Sequence, residues 1–390
     1  MRWRPLRSFG LAVLLGLAGA LCNAWAAQRL LVGPDGAPLS LQQAVLAARD
    51  GDTIELLPGE YKGQHLVIEN RRLSFRGVGK RPVIQGAGRT GDWRALWTVR
   101  GGDITIENIE FRGARASDTD GSGVRQEGGR LKFIGCAFYD NEHGIVALND
   151  PAAEIEIQRS LFGLAPKVEG GLHHLLSIGR IGKLTVTGSR FQQGFEGHMI
   201  KSRARESLIA YNFIHDGQRG GASYEIDLPA GGLATVVGNV IGQGADSQNR
   251  VMVAYGSEGS TWDINKLHLA HNTFINYKAT LAWFVRVWSD RLPRDTEVVA
   301  LNNLLVGPGI FWLGAPGRFE GNRKATLGML RDAATYAFEL PPDSVWRHSG
   351  IDPRDVGGRN LAPQAEFEWP EGVRLLSPQR STWAPGAFQR

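Results

Sequence analysis

Lys201 and Arg203 stand two residues apart, Glu225 and Asp227 repeat that spacing one segment later, and Arg286 follows at a distance, with His198 just ahead of the first pair. On an extended strand, residues two apart share a face. Cleavage of an acidic polysaccharide by β-elimination needs three things: a cation on the sugar carboxylate, a base for the C5 proton it acidifies, and an acid for the departing O4. A Lys crowded by other cations holds its proton less tightly and can act as a base. On these grounds Lys201 is the expected base. Arg203 and Arg286 are expected to bind carboxylate and His198 to protonate the leaving oxygen.

The same residues support rival readings. Glu225 and Asp227 on one face of a strand would place their Cβ atoms ~6.5 Å apart, and two carboxyls at roughly 5 to 9.5 Å serve glycoside hydrolysis. An epimerase would run the first half of the elimination and return the proton to the other face. A non-catalytic carbohydrate-binding solenoid would grip a polymer along its long face without cleaving it, and a plain solvated face would pair Lys201 with Asp227 at little gain. Arg286, Glu225, Asp227, Tyr255 and Trp288 are the expected substrate-binding residues. Tyr255 and Trp288, with Trp283 and Trp312, offer sugar-stacking surfaces or packing. His173 and His174 read as packing or solvated residues.

What positions these side chains is nearly the same phrase of eight residues, apolar at its first, third and eighth positions except for Ser207, written eight times between Ile104 and Leu305. It covers 104–111, 131–138, 155–162, 184–191, 207–214, 234–241, 267–274 and 298–305, with closing residues 27, 24, 29, 23, 27, 33 and 31 apart. A repeat of about 20 to 50 residues means a solenoid, a propeller or an array. The period of two inside the phrase is a strand period, and one coil of a parallel β-helix fits its length. The sixth position reads Ile109, Cys136, Ser160, Ser189, Asn212, Asn239, Asn272 and Asn303. Equivalent Asn residues stacked ~4.8 Å apart can bond to one another inside a turn, so this column is expected to be structural. Cys136, in the same column, is then a buried thiol and not a nucleophile.

A second alignment takes Val146, Leu176, Ile200, Ile226, Val253 and Val285 as an inward column. Ala147, Ser177, Lys201, Asp227, Ala254 and Arg286 then face outward, flanked by Arg203, Glu225 and Trp288. A slip of one residue would exchange the faces and bury five charged groups, which unpaired charge forbids. Small neighbours beside the charges leave room for a ligand.

The predicted organisation is all-β: a signal peptide over 1–26, an N-terminal cap over 27–52, a parallel β-helix over 53–322, and a C-terminal helix with an irregular wrapping tail over 323–390. Three Arg, an apolar run from Phe9 to Leu21 and Ala24-Trp25-Ala26 give the signal, and that run is too short to remain in a bilayer. The expected location is therefore periplasmic or secreted, without stable membrane insertion. Three of the 44 basic residues and none of the 39 acidic ones lie in that segment, which leaves +2 on the rest. So small a charge gives no field for nucleic acid. The expected partner is an acidic polysaccharide or oligosaccharide, bound by a monomer. With Cys136 alone left, no internal disulfide is expected. Ser40 to Gln43 has the form of a capping box that opens a short amphipathic helix and closes the solenoid's exposed end. Residues 324–336 are expected to form a helix at the other end.

The segment 40–59 (SLQQAVLAARDGDTIELLPG), followed by the coils and the Asn column, resembles the pectate-lyase-like superfamily of right-handed parallel β-helices over nearly all of the chain after the signal. That superfamily holds lyases, hydrolases, epimerases and non-catalytic adhesins, so the resemblance implies the fold and leaves the activity to the site. The consecutive Asp-Asp and the Gly-His-Gly of β-helical polygalacturonases do not occur. Residues near Lys201 are similar to the chondroitinase B and alginate lyase family. In that family a Lys-Ser pair ends a strand, acidic residues just before it bind calcium, and an Arg one coil later completes catalysis. Lys201-Ser202 matches the pair and Glu196 matches one Ca2+ ligand, so the resemblance implies a calcium ion there. The second acidic position is Gly194, and the later Arg falls near 225–227, where Glu225 and Asp227 stand.

Overall fold

The computed structural model describes residues 26–390 except 89–92, 169–170, 312–313, 315 and 355–359. Residues 1–25 of the signal peptide expected over 1–26, and Trp312, lie outside the described residues. No helix among those described is long and apolar enough to cross a membrane.

Each eight-residue phrase folds as two strands and the bend between them. Its first half joins a twelve-stranded parallel sheet and its second half an eleven-stranded one, while a third strand per coil builds a ten-stranded sheet, among the described residues. The chain is a right-handed parallel β-helix. The bend falls at the fifth position of the phrase, which is left-handed in every coil: Asn108, Gly135, Arg159, Gly188, Tyr211, Gly238, His271 and Asn302 all have φ between 47° and 66°. That turn takes the next backbone N–H out of the sheet ladder, and a buried N–H must find another acceptor. The sixth-position side chain of the following coil supplies it. Asn212 N–H donates to Asn239 Oδ1 at 2.9 Å, Asn239 to Asn272 at 3.1 Å and Asn272 to Asn303 at 3.0 Å. The hydroxyls of Ser160 and Ser189 serve Cys136 and Ser160 in the same way, and Asn322 extends the ladder beyond Asn303. Cys136 is buried, and burial pushes its thiol up to about 11.

The eighth positions form the core. Phe111, Phe138, Phe162 and Phe191 stack ring on ring at 5.3, 4.7 and 4.5 Å.

At the N-terminal end Ser40 caps the helix Leu41–Ala47 with the expected reciprocal bonds to Gln43. The helix buries Leu41, Ala44 and Val45 over the first coil. The solenoid begins earlier than expected, because Arg29–Val32 pairs with Thr53–Leu56. It also ends later, with Arg323–Ala325 pairing onto Leu304–Val306.

The helix expected over 324–336 does not form. Two short 3-10 turns, Leu327–Met329 and Ala333–Thr335, stand in its place. Gly328 weakens a helix there, and an extended path lets Leu330, Phe338 and Leu340 reach the apolar outer face around Phe213, Val240 and Leu304. The remaining tail, with its hairpin Ala365–Phe367/Val373–Leu375, covers the same face through Phe367, Ala387 and Phe388. The ten-stranded sheet keeps its polar outward column.

Candidate active site

The outward column of the ten-stranded sheet runs Val67, Thr98, Arg125, Val146, Ser177, Lys201, Asp227, Ala254, Arg286 by direct strand register. Lys201 and Asp227 are therefore neighbours across adjacent strands. One member differs from expectation: Val146 and not Ala147 lies in this column, because Ile145 pairs with Leu176 on the inward side. Ile145, Val146 and Ala147 are all apolar, so polarity could not set the register at that coil.

Asp227 is the centre of the group. Its side chain is 3% exposed; His198 Nδ1 lies 3.0 Å and Lys201 Nζ 3.9 Å from its Oδ2. The imidazole approach is too bent to make a hydrogen bond, so His198 Nδ1 and Asp227 Oδ1 are both without a hydrogen-bond partner. A buried carboxylate between an imidazole and an ammonium is a coupled proton-transfer arrangement.

Arg203 is itself paired with a carboxylate. Its guanidinium makes a fork of two bonds, 2.7 and 2.6 Å, to Glu258, and this pair holds the Glu258 carboxyl below its ordinary range. Trp262 Nε1 donates to the Arg203 carbonyl at 3.1 Å and fixes the backbone beneath it. Lys201 thus faces a carboxylate where a cation was expected. Arg286 is exposed, with its guanidinium carbon 4.5 Å from the Trp288 ring centre. Ser202, the second half of the Lys-Ser pair, is buried and meets Ser207 Oγ at 3.0 Å.

Three expectations are overturned. Glu225 is fully buried and both its carboxylate oxygens lack partners. It precedes the short strand Ile226–Leu228, in the bend where two consecutive residues turn inward and the period of two fails. One position before each inward residue of the sheet stand Leu175, Met199, Met252 and Phe284, so Glu225 is the carboxylate in an apolar column. Burial, then the nearby Asp216 charge, raises its pKa well above the ordinary value. Glu225 and Asp227 therefore do not form a two-carboxyl hydrolytic pair on one face, and Glu225 does not reach substrate. Tyr255 follows Val253 by two and faces inward with it; its hydroxyl donates to Gly232 O at 2.5 Å in the interior, so it offers no stacking surface.

Glu196 lies elsewhere. It lines a cavity of about 650 Å³ with Lys167, Asp216, Arg219, Asp246 and Gln248, and Gln248 Nε2 donates to its Oε1 at 3.0 Å. The residues do not fit a calcium ion. The second acidic position is Gly194, whose N–H donates to Asp216 Oδ1 at 2.6 Å while Ala222 N–H occupies Oδ2 at 2.8 Å. Among the described residues no group of three or more His, Cys, Asp or Glu could hold a metal ion.

Sequence reasoning passed over Glu258 and His143, and read His174 as a packing or solvated residue. Glu258 comes from a loop 55 residues after Arg203, and no spacing announces it. His143 and His174 stack with His198 in one column, with ring centres 5.6 and 4.7 Å apart, and Tyr224 continues it at 4.6 Å. A signal was available, since each His stands three residues before an outward position: Val146, Ser177 and Lys201.

Neither a protein-family model nor a curated protein matches the sequence. Among solved structures, the fold is similar to pectate lyase Pel9A at a TM-score of 0.63 and 14% identity, covering 86% of this chain and 95% of that one. It is also similar to an alginate lyase from Paenibacillus sp. str. FPU-7 at a TM-score of 0.51 and 15% identity, covering 76% of this chain and 99% of that one. At such identities the likeness is one of fold.

Proposed function

We propose that this protein is an extracytoplasmic polysaccharide lyase that cleaves an acidic, uronic-acid polysaccharide by β-elimination on the outward face of its ten-stranded sheet. The observation that carries this reading is the placement of His198 and Lys201 on one buried carboxylate, Asp227. It provides two proton-handling groups side by side, as a reaction that moves one proton from C5 to O4 requires. Arg203, two residues from Lys201, and Arg286, three strands away, are the carboxylate-binding cations, and the Trp288 ring beside Arg286 offers a face to a sugar. The similarity in fold to a pectate lyase and an alginate lyase supports the same class of substrate.

Electron and proton accounting is simple. The C5–H pair becomes the C4=C5 double bond, the C4–O4 bond breaks, and O4 takes up a proton, so the net transfer is one proton from C5 to O4 with no change of oxidation state. A cation on the C6 carboxylate stabilises the charge that develops between these events. The test is incubation of the purified chain with polyuronates of differing composition while unsaturated uronate is followed by ultraviolet absorbance and new ends by reducing-sugar detection. Both signals rising together support the lyase. Reducing ends alone point to hydrolysis, C5 deuterium uptake without chain cleavage points to an epimerase, and binding with no product points to a scaffold.

A further inference from the structure

The histidine column has a direction. His174 N–H donates to His143 Nδ1 at 3.1 Å, and His198 N–H donates to His174 Nδ1 at 2.9 Å. Each ring of the lower two thus presents a δ lone pair to the backbone of the coil above. A neutral imidazole with its δ nitrogen accepting must carry its proton on Nε2. For His143 that proton points at Asp120 Oδ1, 3.2 Å away, and the bond holds the Asp120 carboxyl below its ordinary range.

His198 breaks the pattern. Its Nδ1 meets a carboxylate oxygen, Asp227 Oδ2 at 3.0 Å, in place of a backbone N–H. The contact is too bent to count as a hydrogen bond, but at 3.0 Å from a carboxylate oxygen the δ nitrogen is favoured as the protonated one, which leaves Nε2 as a bare lone pair on a side chain 13% exposed.

We propose that His143 and His174 are positioning residues that hold His198 in the Nδ1–H tautomer, with its unprotonated Nε2 left for a substrate on the outward face of the ten-stranded sheet. The rings act through geometry: His174 fixes the His198 backbone by its δ lone pair and packs edge to face against the ring, with planes at 61°. His174 must stay neutral to do so. Burial, followed by the charges of His198, His143, Lys201 and Arg203, keeps its pKa well below the ordinary histidine value. The groups that face His198 are His174 below, Tyr224 above, and Asp227 with its second neighbour Lys201.

This inference rests on the lyase reading only for its chemical consequence. Within that reading it assigns the proton steps: His198 Nε2 takes the C5 proton, Asp227 stabilises the imidazolium that forms, and the Lys201 ammonium gives a proton to O4. These roles are the reverse of those expected from the cation spacing alone.

The tautomer arm of the test needs no activity. Long-range 15N–1H correlation spectra of the full chain labelled at histidine nitrogen, with His198 assigned by its loss in His198→Gln, should show His198 protonated at Nδ1 and His143 and His174 at Nε2. In Asp227→Ala the His198 signal should change to the Nε2–H pattern. A wild-type His198 protonated at Nε2, or one unmoved by Asp227→Ala, overturns the proposal. The positioning arm uses His174→Phe, which lacks the δ acceptor, and His174→Asn, whose Oδ1 can replace it. His174→Phe should disturb the His198 signals and lower kcat on the order of 10- to 100-fold, with Asn restoring both. Equal behaviour of the two variants overturns the role of His174. A wild-type chain that makes no unsaturated uronate but shows the assigned tautomers contradicts the lyase reading and leaves the histidine assignment standing.

Discussion

Arg203 and Glu258, 55 positions apart, form a two-bond fork at 2.7 and 2.6 Å that holds the guanidinium within reach of the Asp227 charge. The loop bearing Glu258 therefore sets where Arg203 can meet a substrate carboxylate. Glu258→Gln should cost about 1 kcal/mol of stability or less, since the acid is largely exposed. It should raise KM for a uronate polymer by roughly 3- to 10-fold with kcat little changed. Steady-state kinetics decide this, and a collapse of kcat at unaltered KM would remove Arg203 from the binding role.

Arg286→Ala should likewise raise KM more than it lowers kcat, because the exposed guanidinium over Trp288 lies three strands from Lys201. Tyr255→Phe serves as the contrasting case. It loses one buried hydrogen bond to Gly232 O and should cost about 1 kcal/mol in denaturant unfolding. Its KM should match the wild type.

Glu225 gives a pH signature. Its folded pKa is raised, so the folded state binds the proton more tightly than the unfolded chain does. Stability tied to that proton is fully present below the ordinary carboxyl value of about 4.5 and is lost as pH rises towards the folded value. Glu225→Gln cannot ionise. Its melting temperature should gain on the wild type as pH goes from about 5 to 8, and its activity should persist. A difference that shrinks with pH would mean that Glu225 is ionised and partnered in the fold.

The Asn ladder predicts a large structural cost away from the groove. Asn239→Ala strips the acceptor from the Asn212 N–H and side-chain amide and leaves the Asn272 side of the column broken. Unfolding free energy should fall by roughly 2–3 kcal/mol, read as an earlier denaturant midpoint with unchanged KM. A neutral effect would deny the ladder its role in satisfying the left-handed turns.

Most of the architecture was legible because a solenoid repeats its physics. The apolar first, third and eighth positions reappear as buried strands, and the sixth-position column as the ladder from Cys136 to Asn303. Lys201, Asp227 and Arg286 were legible as outward residues because a charge among alternating apolar neighbours reveals its face. Where the alternation ends, the pattern no longer reports direction. Glu225 sits in a bend and turns inward, and residues 145–147 carry no polar residue to mark the register. The histidine column lies in equivalent bends, so its members look isolated in sequence although they stack in space. Glu258 and the tail's 3-10 turns depend on long-range docking that no local period encodes.

The most direct test of the account measures unsaturated uronate and reducing ends together, on an acidic polysaccharide panel, for the wild type, Lys201→Ala and Asp227→Asn. The account predicts that both products rise in step for the wild type and that each variant loses roughly 10²- to 10⁴-fold in kcat. Unsaturation that survives in Lys201→Ala and Asp227→Asn, or reducing ends formed without it, would contradict the account.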